Sequence, residues 1–373
     1  MNKIIIAPDS FKGTMTAKKV ADIIGEAAAA LLPDCEIVKI PIADGGEGSL
    51  DTIISSVGGE LFEARVISPD DNEIPAYVGI TREGTAIIEM AQSSGLTRQN
   101  GLHPMTSSTY GFGQLITAAL DKGAREFVLC IGGSATTDGG CGMAAALGVA
   151  FKSCSGVSFV PCGGTLQHIT RPDGIDMSAI DTRIRGSVFT VMCDVDNPLH
   201  GKHGAAYVYA TQKGASPDHV ALLDEGLKHL GLLLHEKLGV DFASIPGAGA
   251  AGGLGAGCMA FLSAKLVSGS EAILELSGFG AHLKSADLVI TGEGRLDTQS
   301  FSGKALSGVL KRAGNVRVYS ICGVCSCDEA LLEEHSLRVF ETSEGITPEE
   351  SLLYPEKYLR ATAVKAITAA MNE

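Results

Sequence analysis

Residues 131–142 (IGGSATTDGGCG) are the part of the sequence whose residue types best suit ligand chemistry. They follow an apolar run and place a glycine pair on each side of three hydroxyl residues, Ser134, Thr136 and Thr137, and a carboxylate, Asp138. Glycines allow a sharp turn and a close backbone approach, and Asp138 can cap a helix that starts just after it. Free N–H groups at a helix start favour an anion. The stretch therefore predicts a phosphate-binding turn between a strand and a helix, with an unliganded tight turn as the alternative.

A second hydroxyl-rich stretch, residues 106–111 (TSSTYG), opens an amphipathic helix that is predicted to end near Asp121. Its first N–H groups would favour an anion for the same reason. The sequence thus contains two candidate anion sites. It leaves open which of them takes a phosphate and which takes a carboxylate.

Carboxylates follow several of the predicted strands. They are Asp9, Asp44, Glu47, Asp194, Asp196, Glu293 and Asp297. Two of these loops add a cation, Lys12 and Arg295. One acidic loop is usually a solvated turn, but ligands of open α/β sheets bind at the carboxyl ends of the strands. Carboxylate oxygens beside helix starts rich in N–H groups suit Mg²⁺ with phosphate, so phosphoryl transfer is the favoured chemistry.

Patterns of buried strands and amphipathic helices alternate at both ends of the chain. The β-branched run at residues 3–7 is typical of the first strand of a parallel sheet, and Thr16 can cap the helix after it. From about residue 60, short strand-like runs separated by turns indicate an antiparallel section. We therefore predict an α/β domain made of residues 1–60 plus 285–373, interrupted by an inserted mixed α/β domain at residues 61–284.

The composition limits the class of protein. A chain of 373 residues exceeds the roughly 250–300 residues that one hydrophobic core usually supports, so two domains are expected. The formal net charge of −14 argues against a nucleic acid or an anionic membrane as partner, and no segment predicts a membrane span. Ten cysteines, mostly in apolar runs, indicate thiols in a reducing cytoplasm. A homodimer is left open.

Familiar nucleotide motifs are missing or poorly supported. Residues 247–252 match G-x-G-x-x-G, but the segment before them is short and ends in Pro246, where a dinucleotide site needs a strand. These glycines are instead predicted to allow a close backbone approach to a neighbouring helix or ligand. No Walker A loop, protein-kinase signature or G-x-S-x-G hydrolase motif occurs. Cys322, Cys325 and Cys327 are closely spaced, but no fourth ligand nearby completes a zinc site.

Eight longer segments occur in order along essentially the whole chain. They are APDSFKGT (7–14), PIADGGEG (41–48), TSSTYGFG (106–113), GGSATTDGG (132–140), CDVDNPL (193–199), QKGA (212–215), PGAGAAGGLGAG (246–257) and ADLVITGEGRLD (286–297). Together they resemble the type-1 glycerate kinase family. The resemblance implies ATP-dependent phosphorylation of D-glycerate, with the 2-phosphate as product, in glycerate, glyoxylate or aldarate catabolism. It also implies a Rossmann-like or flavodoxin-like domain interrupted by a second α/β domain. The cysteine-rich segment 322–327 departs from the family's usual apolar strand.

We therefore hypothesise that the two predicted domains close over Mg²⁺, ATP and D-glycerate. Lys12 would neutralise charge on the transferring phosphoryl group, Asp44 and Glu47 would hold Mg²⁺, and Asp194, with Asp196 second, would act as base. The other expected substrate or phosphate contacts are Asp9, Ser10, Thr109, Ser134, Thr136, Thr137, Asp138, Glu293, Arg295 and Asp297. A non-catalytic binder or regulator of sugar acids, and an NAD-dependent dehydrogenase of glycerate or tartronate semialdehyde, are the alternatives.

Overall fold

A computed structural model describes residues 1–11, 13–43, 45–301 and 305–373. The predictions made for Lys12 and Asp44 therefore lie outside the described residues.

Strands and helices alternate along the described chain, as expected for an α/β protein. The strands are β1 (Lys3–Pro8), β2 (Glu36–Lys39), β3 (Gly59–Ile67), β4 (Glu73–Thr81), β5 (Thr85–Glu89), β6 (Glu126–Cys130), β7 (Ala150–Lys152), β8 (Ser158–Phe159), β9 (Ile175–Asp176), β10 (Val188–Met192), β11 (Lys265–Val267), β12 (Leu288–Leu296), β13 (Arg317–Cys325) and β14 (Leu337–Glu341). The α-helices are α1 (Ala17–Leu31), α2 (Ser49–Val57), α3 (Ala91–Ser94), α4 (Tyr110–Asp121), α5 (Cys141–Ala146), α6 (Pro217–Leu238), α7 (Ala250–Leu262), α8 (Gly269–Leu276), α9 (Phe279–Leu283), α10 (Ala305–Ala313), α11 (Glu329–Glu334), α12 (Pro348–Leu353) and α13 (Pro355–Met371).

Contacts between residues divide the chain into two compact units. Unit 1 consists of Met1–Asp44, Ser55–Val57 and Ser268–Glu373, and unit 2 consists of Gly45–Ile54 and Gly58–Val267. These bounds differ from the predicted ones in two places. Most of α2 belongs to unit 2, and α8 and α9 belong to unit 1. The insertion of one domain into the other stays a prediction.

The described residues of unit 1 form a parallel sheet with the strand order β14-β13-β12-β1-β2. Counted within the unit, this is the order 2-1-3-4-5 of flavodoxin-like sheets. β1 is buried along its whole length, which confirms the prediction from its β-branched run. Thr16 caps α1 as predicted, since its side chain accepts a hydrogen bond from the N–H of Lys19 at 3.3 Å. The apolar face of α1 packs with α13 in the core of the unit.

The larger sheet of unit 2 has the order β11-β10-β6-β5-β4-β3 in the described residues. β5, β6, β10 and β11 run parallel, whereas β3, β4 and β5 pair in antiparallel fashion. This confirms the antiparallel section that the turns after residue 60 predict. The parallel strands end at one edge of the sheet, so the segments that follow them are brought to the same place.

Candidate active site

Three predicted site segments meet at the carboxyl edge of the mixed sheet in unit 2. β6 leads into the turn 132–138, and β10, its parallel neighbour, leads into the loop 193–197. The segment 45–47 also reaches this edge, because the N–H of Gly132 donates a hydrogen bond to the carbonyl of Gly45 at 2.8 Å. The structure thereby brings together segments that lie far apart in the sequence.

Glycine is required where these backbones touch. Gly45 has a φ of +78°, and a Cβ on it would lie 3.0 Å from the Cβ of Met192 at the end of β10. A Cβ on Gly132 would lie 2.7 Å from the Cα of Gly46. Without side chains, the two segments can approach closely. Glu47 follows directly, is exposed, and accepts a hydrogen bond from the hydroxyl of Thr97 at 3.5 Å.

The turn 132–138 contains its own anion, the carboxylate of Asp138, which is fully buried. Its Oδ1 accepts a hydrogen bond from the N–H of Gly140 and its Oδ2 one from the N–H of Gly142, both at 3.1 Å. Asp138 therefore binds N–H groups at the start of α5, although the N-cap position itself is taken by Gly140. The N–H and the hydroxyl of Thr109 also donate to Oδ2, each at 2.8 Å. The hydroxyl of Ser108 donates to Oδ2 as well, at 3.5 Å. Burial raises the pKa of Asp138, and the hydrogen bonds from Thr109, Gly140 and Gly142 partly offset this by favouring the ionised form.

Both predicted anion sites therefore converge on one internal carboxylate. The N–H groups that the sequence assigns to an external anion are in part used by Asp138, because a buried ionised side chain needs donors on both oxygens. Thr109, Thr136, Thr137 and Asp138 are each at most 1% exposed. A ligand-binding role for these four residues stays a prediction, and the structure gives Thr109 and Asp138 a different role, that of joining α4 to α5.

The loop after β10 presents the two predicted bases, Asp194 and Asp196, both of them exposed. Asn197, which follows them, donates from Nδ2 to the carbonyl of His203 at 2.8 Å and accepts from the hydroxyl of Tyr209 at 2.6 Å. Tyr209 lies in a π-helical turn, a feature that often accompanies functional sites. The loop is thus anchored just after its two carboxylates.

A buried lysine lies behind the turn 132–138, and sequence reasoning missed it. Lys213 is 2% exposed, and its Nζ donates to the Oγ of Ser134 at 2.7 Å and to the carbonyl of Thr136 at 2.6 Å. Burial lowers the pKa of Lys213 to about 7, although the charge of Asp138 acts in the opposite direction. The sequence feature that could have indicated Lys213 as a site residue was its place in the QKGA segment (212–215). Residue type alone, however, does not distinguish a buried lysine from an exposed one.

The glycine-rich segment 246–257 packs against the same turn. It is preceded by a 3₁₀ turn, Phe242–Ser244, where a dinucleotide site would need a strand. Gly252 has a φ of +70°, and a Cβ on it would lie 2.0 Å from the carbonyl oxygen of Thr136. Its own carbonyl accepts the N–H of Gly139 at 3.1 Å. The predicted close backbone approach is confirmed, and the geometry gives a nicotinamide site no support.

Unit 1 has a pocket of its own, with a volume of about 360 Å³. Small-molecule sites typically measure about 300–1,000 Å³. The pocket lies at the carboxyl ends of β1 and β12, the two strands at which the strand order reverses, and ligands of open α/β sheets bind at such a point. It brings together five predicted site residues: Asp9, Ser10, Glu293, Arg295 and Asp297.

β12 is longer than the sequence predicts. The apolar pattern ends near residue 290 with a loop after it, whereas the strand continues to Leu296 alongside β13. A Cβ on Gly292 would lie 2.2 Å from the carbonyl oxygen of Ile321, so this glycine allows close pairing of strands and is not a turn signal. Glu293 and Arg295 are alternate residues of the strand, so both can face the pocket that they line.

The chain matches the family model described as the glycerate kinase family over residues 4–371. It belongs to the glycerate kinase family. The match covers both units, so family membership rests on the whole fold and makes the chain a kinase.

Individual relatives agree with this membership. A glycerate kinase of Halalkalibacterium halodurans is 44% identical over 366 residues, which are 95% of this chain and 96% of the relative. A glycerate 2-kinase of Escherichia coli is 40% identical over 340 residues, 90% of this chain and 88% of the relative. A crystal structure assigned to glycerate kinase 2 of Salmonella typhimurium LT2 superposes with a TM-score of 0.85 at 35% identity and covers 100% of both chains.

Enzymes that transfer a phosphoryl group from ATP usually bind the nucleotide together with Mg²⁺, so the described residues can be tested for a fit to that ion. Mg²⁺ usually takes one or two protein carboxylates and fills its other positions with water and phosphate oxygens. Among the described residues, Glu47 fits this requirement as an exposed carboxylate at the sheet edge. No three His, Cys, Asp or Glu side chains of the described part could hold a metal by themselves, and this includes the cysteines of β13 and its neighbour Cys327.

No described helix is long and apolar enough to cross a bilayer.

Proposed function

We propose that this member of the glycerate kinase family transfers the γ-phosphoryl group of ATP to D-glycerate and releases 2-phospho-D-glycerate and ADP. The observation that carries the proposal is the family match over residues 4–371. The name of the Escherichia coli relative, glycerate 2-kinase, supports the 2-phosphate as product. A cytoplasmic location, a place in glycerate, glyoxylate or aldarate catabolism, and a homodimer stay predictions.

The reaction requires little covalent help from the protein. The 2-hydroxyl oxygen of glycerate attacks the γ-phosphorus, the bond from that phosphorus to the β–γ bridging oxygen breaks, and the hydroxyl proton passes to a base. Catalysis of such a transfer comes mainly from positioning and from electrostatic stabilisation. Asp194 is the proposed base, with Asp196 second, because both are exposed carboxylates that leave the end of β10 on an anchored loop.

Eight of the other predicted residues would bind the metal ion or the reactants. Glu47, with Asp44, would hold Mg²⁺, which when bound offsets the negative charge of the phosphate oxygens. Lys12 would neutralise charge on the transferring group. The pocket of unit 1 supports Asp9, Ser10, Glu293, Arg295 and Asp297 as contacts for substrate or phosphate, because it collects all five in one cavity.

The test is ADP formation from ATP and D-glycerate in the presence of Mg²⁺, compared with L-glycerate, lactate and tartronate as acceptors. Phosphorus NMR of the product distinguishes the 2-phosphate from the 3-phosphate. Thermal stabilisation by D-glycerate without ADP formation would make the protein a binder. A change in NADH fluorescence on mixing would support the dehydrogenase alternative.

Replacement of Lys12 by alanine is expected to lower kcat by about 10²–10³-fold with a smaller change in the KM for glycerate. An interaction that strengthens as charge develops is lost from the transition state more than from the ground state. Steady-state kinetics in both substrates measure the effect, and Lys18→Ala, at an exposed position of α1, is the matched control. A nearly normal kcat with only a raised KM for ATP would make Lys12 a uniform binding residue.

A further inference from the structure

The contacts of Lys213 decide how the hydroxyl of Ser134 is oriented. A lysine ammonium has three hydrogens to donate and no lone pair to accept with. While Nζ is an ammonium, the Oγ of Ser134, which lies 2.7 Å from it, accepts the hydrogen bond. The hydrogen of Ser134 is then left to donate elsewhere, and the residue keeps 6% exposure.

The backbone beside Ser134 adds further donors. Gly133 is exposed and has a φ of +77°. Among the described residues, no protein acceptor lies in hydrogen-bonding geometry to the N–H of Gly133 or of Ser134. Successive N–H groups around a residue with positive φ form a concave site that suits an anion. These donors are distinct from the N–H groups of Gly140 and Gly142 that Asp138 uses.

We propose that residues 132–134 form an oxyanion subsite, in which the N–H groups of Gly133 and Ser134 and the hydroxyl of Ser134 bind one carboxylate or phosphoryl group of a reactant. Lys213 is the positioning residue that fixes Ser134 as a donor. The inference rests on the proposed function only for the identity of the reactant, which is the carboxylate of glycerate or a phosphoryl group of ATP.

The main test is Ser134→Ala, which removes the hydroxyl donor and also one acceptor of the Lys213 ammonium, but leaves the N–H groups of residues 133 and 134 and the Lys213 bond to the carbonyl of Thr136 in place. We expect a rise of about tenfold or more in the KM of one reactant, since a hydrogen bond to a charged group is lost, with a smaller change in kcat. A rise confined to glycerate assigns the carboxylate, and a rise confined to ATP assigns the phosphoryl group. Unchanged KM values for both reactants would overturn the subsite, whatever happens to kcat.

Lys213→Met tests the positioning role, with Lys228→Met, an exposed lysine of α6, as the matched control. We expect Lys213→Met to raise the same KM as Ser134→Ala, and the control to leave both KM values unchanged. A purely structural lysine would lower the melting temperature without this selective rise. If Lys213→Met fails to fold, the kinetics of Ser134→Ala and the pH profile of the wild type still decide the matter.

The pH profile adds a readout that a structural role would not move. Lys213, with Asp138 as the charged group that acts on it, has a pKa near 7, so it is protonated below that pH and neutral above it. A neutral amine can accept the hydrogen of Ser134 and turn it away from the ligand. The KM identified by Ser134→Ala should therefore rise as pH increases through about 7 in the wild type and should lose this dependence in Ser134→Ala. A flat wild-type profile would contradict the positioning role.

Calorimetry separates failure of this inference from failure of the proposed function. D-Glycerate and ATP are titrated separately into the wild type and into Ser134→Ala, without turnover. Binding that Ser134→Ala weakens, with no ADP formed by the wild type, supports the subsite and overturns the proposed phosphorylation of D-glycerate by ATP. Normal turnover with binding that is unchanged in Ser134→Ala overturns the subsite alone. Absence of both binding and turnover in the wild type overturns both.

Discussion

Asp194→Asn is expected to lower kcat by about 10²–10⁴-fold, the usual contribution of a general base. Asparagine keeps the shape of the side chain but cannot take the proton of the glycerate hydroxyl. Asp194 is exposed at the end of β10, so the substitution should leave folding and ATP binding near those of the wild type. The measurements are steady-state kinetics, calorimetry with ATP, and the melting temperature.

The control for this prediction is a comparison with Asp196→Asn over a Mg²⁺ titration. If the two carboxylates hold metal instead of accepting a proton, raised Mg²⁺ should restore part of the activity, because the defect would be one of affinity. A base variant should not respond. Normal turnover in both variants would show that the loop is structural and would move the search for the base to Glu293 and Asp297, which line the pocket of unit 1.

Asp138→Ala should produce the largest loss of stability, on the order of 3–5 kcal/mol in the free energy of unfolding. The substitution removes the acceptor of five donors: the N–H groups of Thr109, Gly140 and Gly142 and the hydroxyls of Ser108 and Thr109. The site is fully buried, so these groups would have no easy access to water. Such a loss is a large share of the roughly 5–15 kcal/mol that stabilises a typical domain. Urea unfolding followed by circular dichroism measures it.

Asp173→Ala, at an exposed position of the same unit, serves as the control and should change the free energy of unfolding by less than about 0.5 kcal/mol. Asp138→Asn should fall between the two, because the amide keeps one acceptor oxygen and turns a donor towards other donors. A loss below about 1 kcal/mol for Asp138→Ala would mean that water or a shifted backbone satisfies the freed groups.

Local patterns in the sequence determined many of the elements. Three such predictions agree with the structure: the uninterrupted β-branched run of β1, the Thr16 cap of α1, and the turns between β3, β4 and β5. Each depends on residues a few positions apart, and the physics of capping, periodicity and turns acts at that range. Long motifs in the right order were also enough to indicate the family, which the family match confirms.

Glycine shows where local patterns were insufficient. The apolar pattern that ends near residue 290 indicated the end of a strand, yet β12 continues to Leu296, and Gly292 provides room for the neighbouring strand. In the segment 246–257 glycine indicated a close approach, and Gly252 makes it against Thr136. A glycine in the sequence shows only that no side chain is present at that position. Which neighbour uses the space depends on the tertiary fold.

The tertiary structure alone decided which polar residues are buried and with which partners. Lys213 and Ser134 are 79 residues apart, and Asp138 and Thr109 are 29 apart, so no local pattern records that they meet. A charged residue is buried only when the fold supplies partners that offset its desolvation. The sequence determined that a hydroxyl- and glycine-rich turn follows β6. Only the tertiary structure showed that the carboxylate of Asp138 accepts hydrogen bonds from N–H groups that the sequence assigns to an external anion. It also showed that the buried ammonium of Lys213 donates a hydrogen bond to the hydroxyl of Ser134.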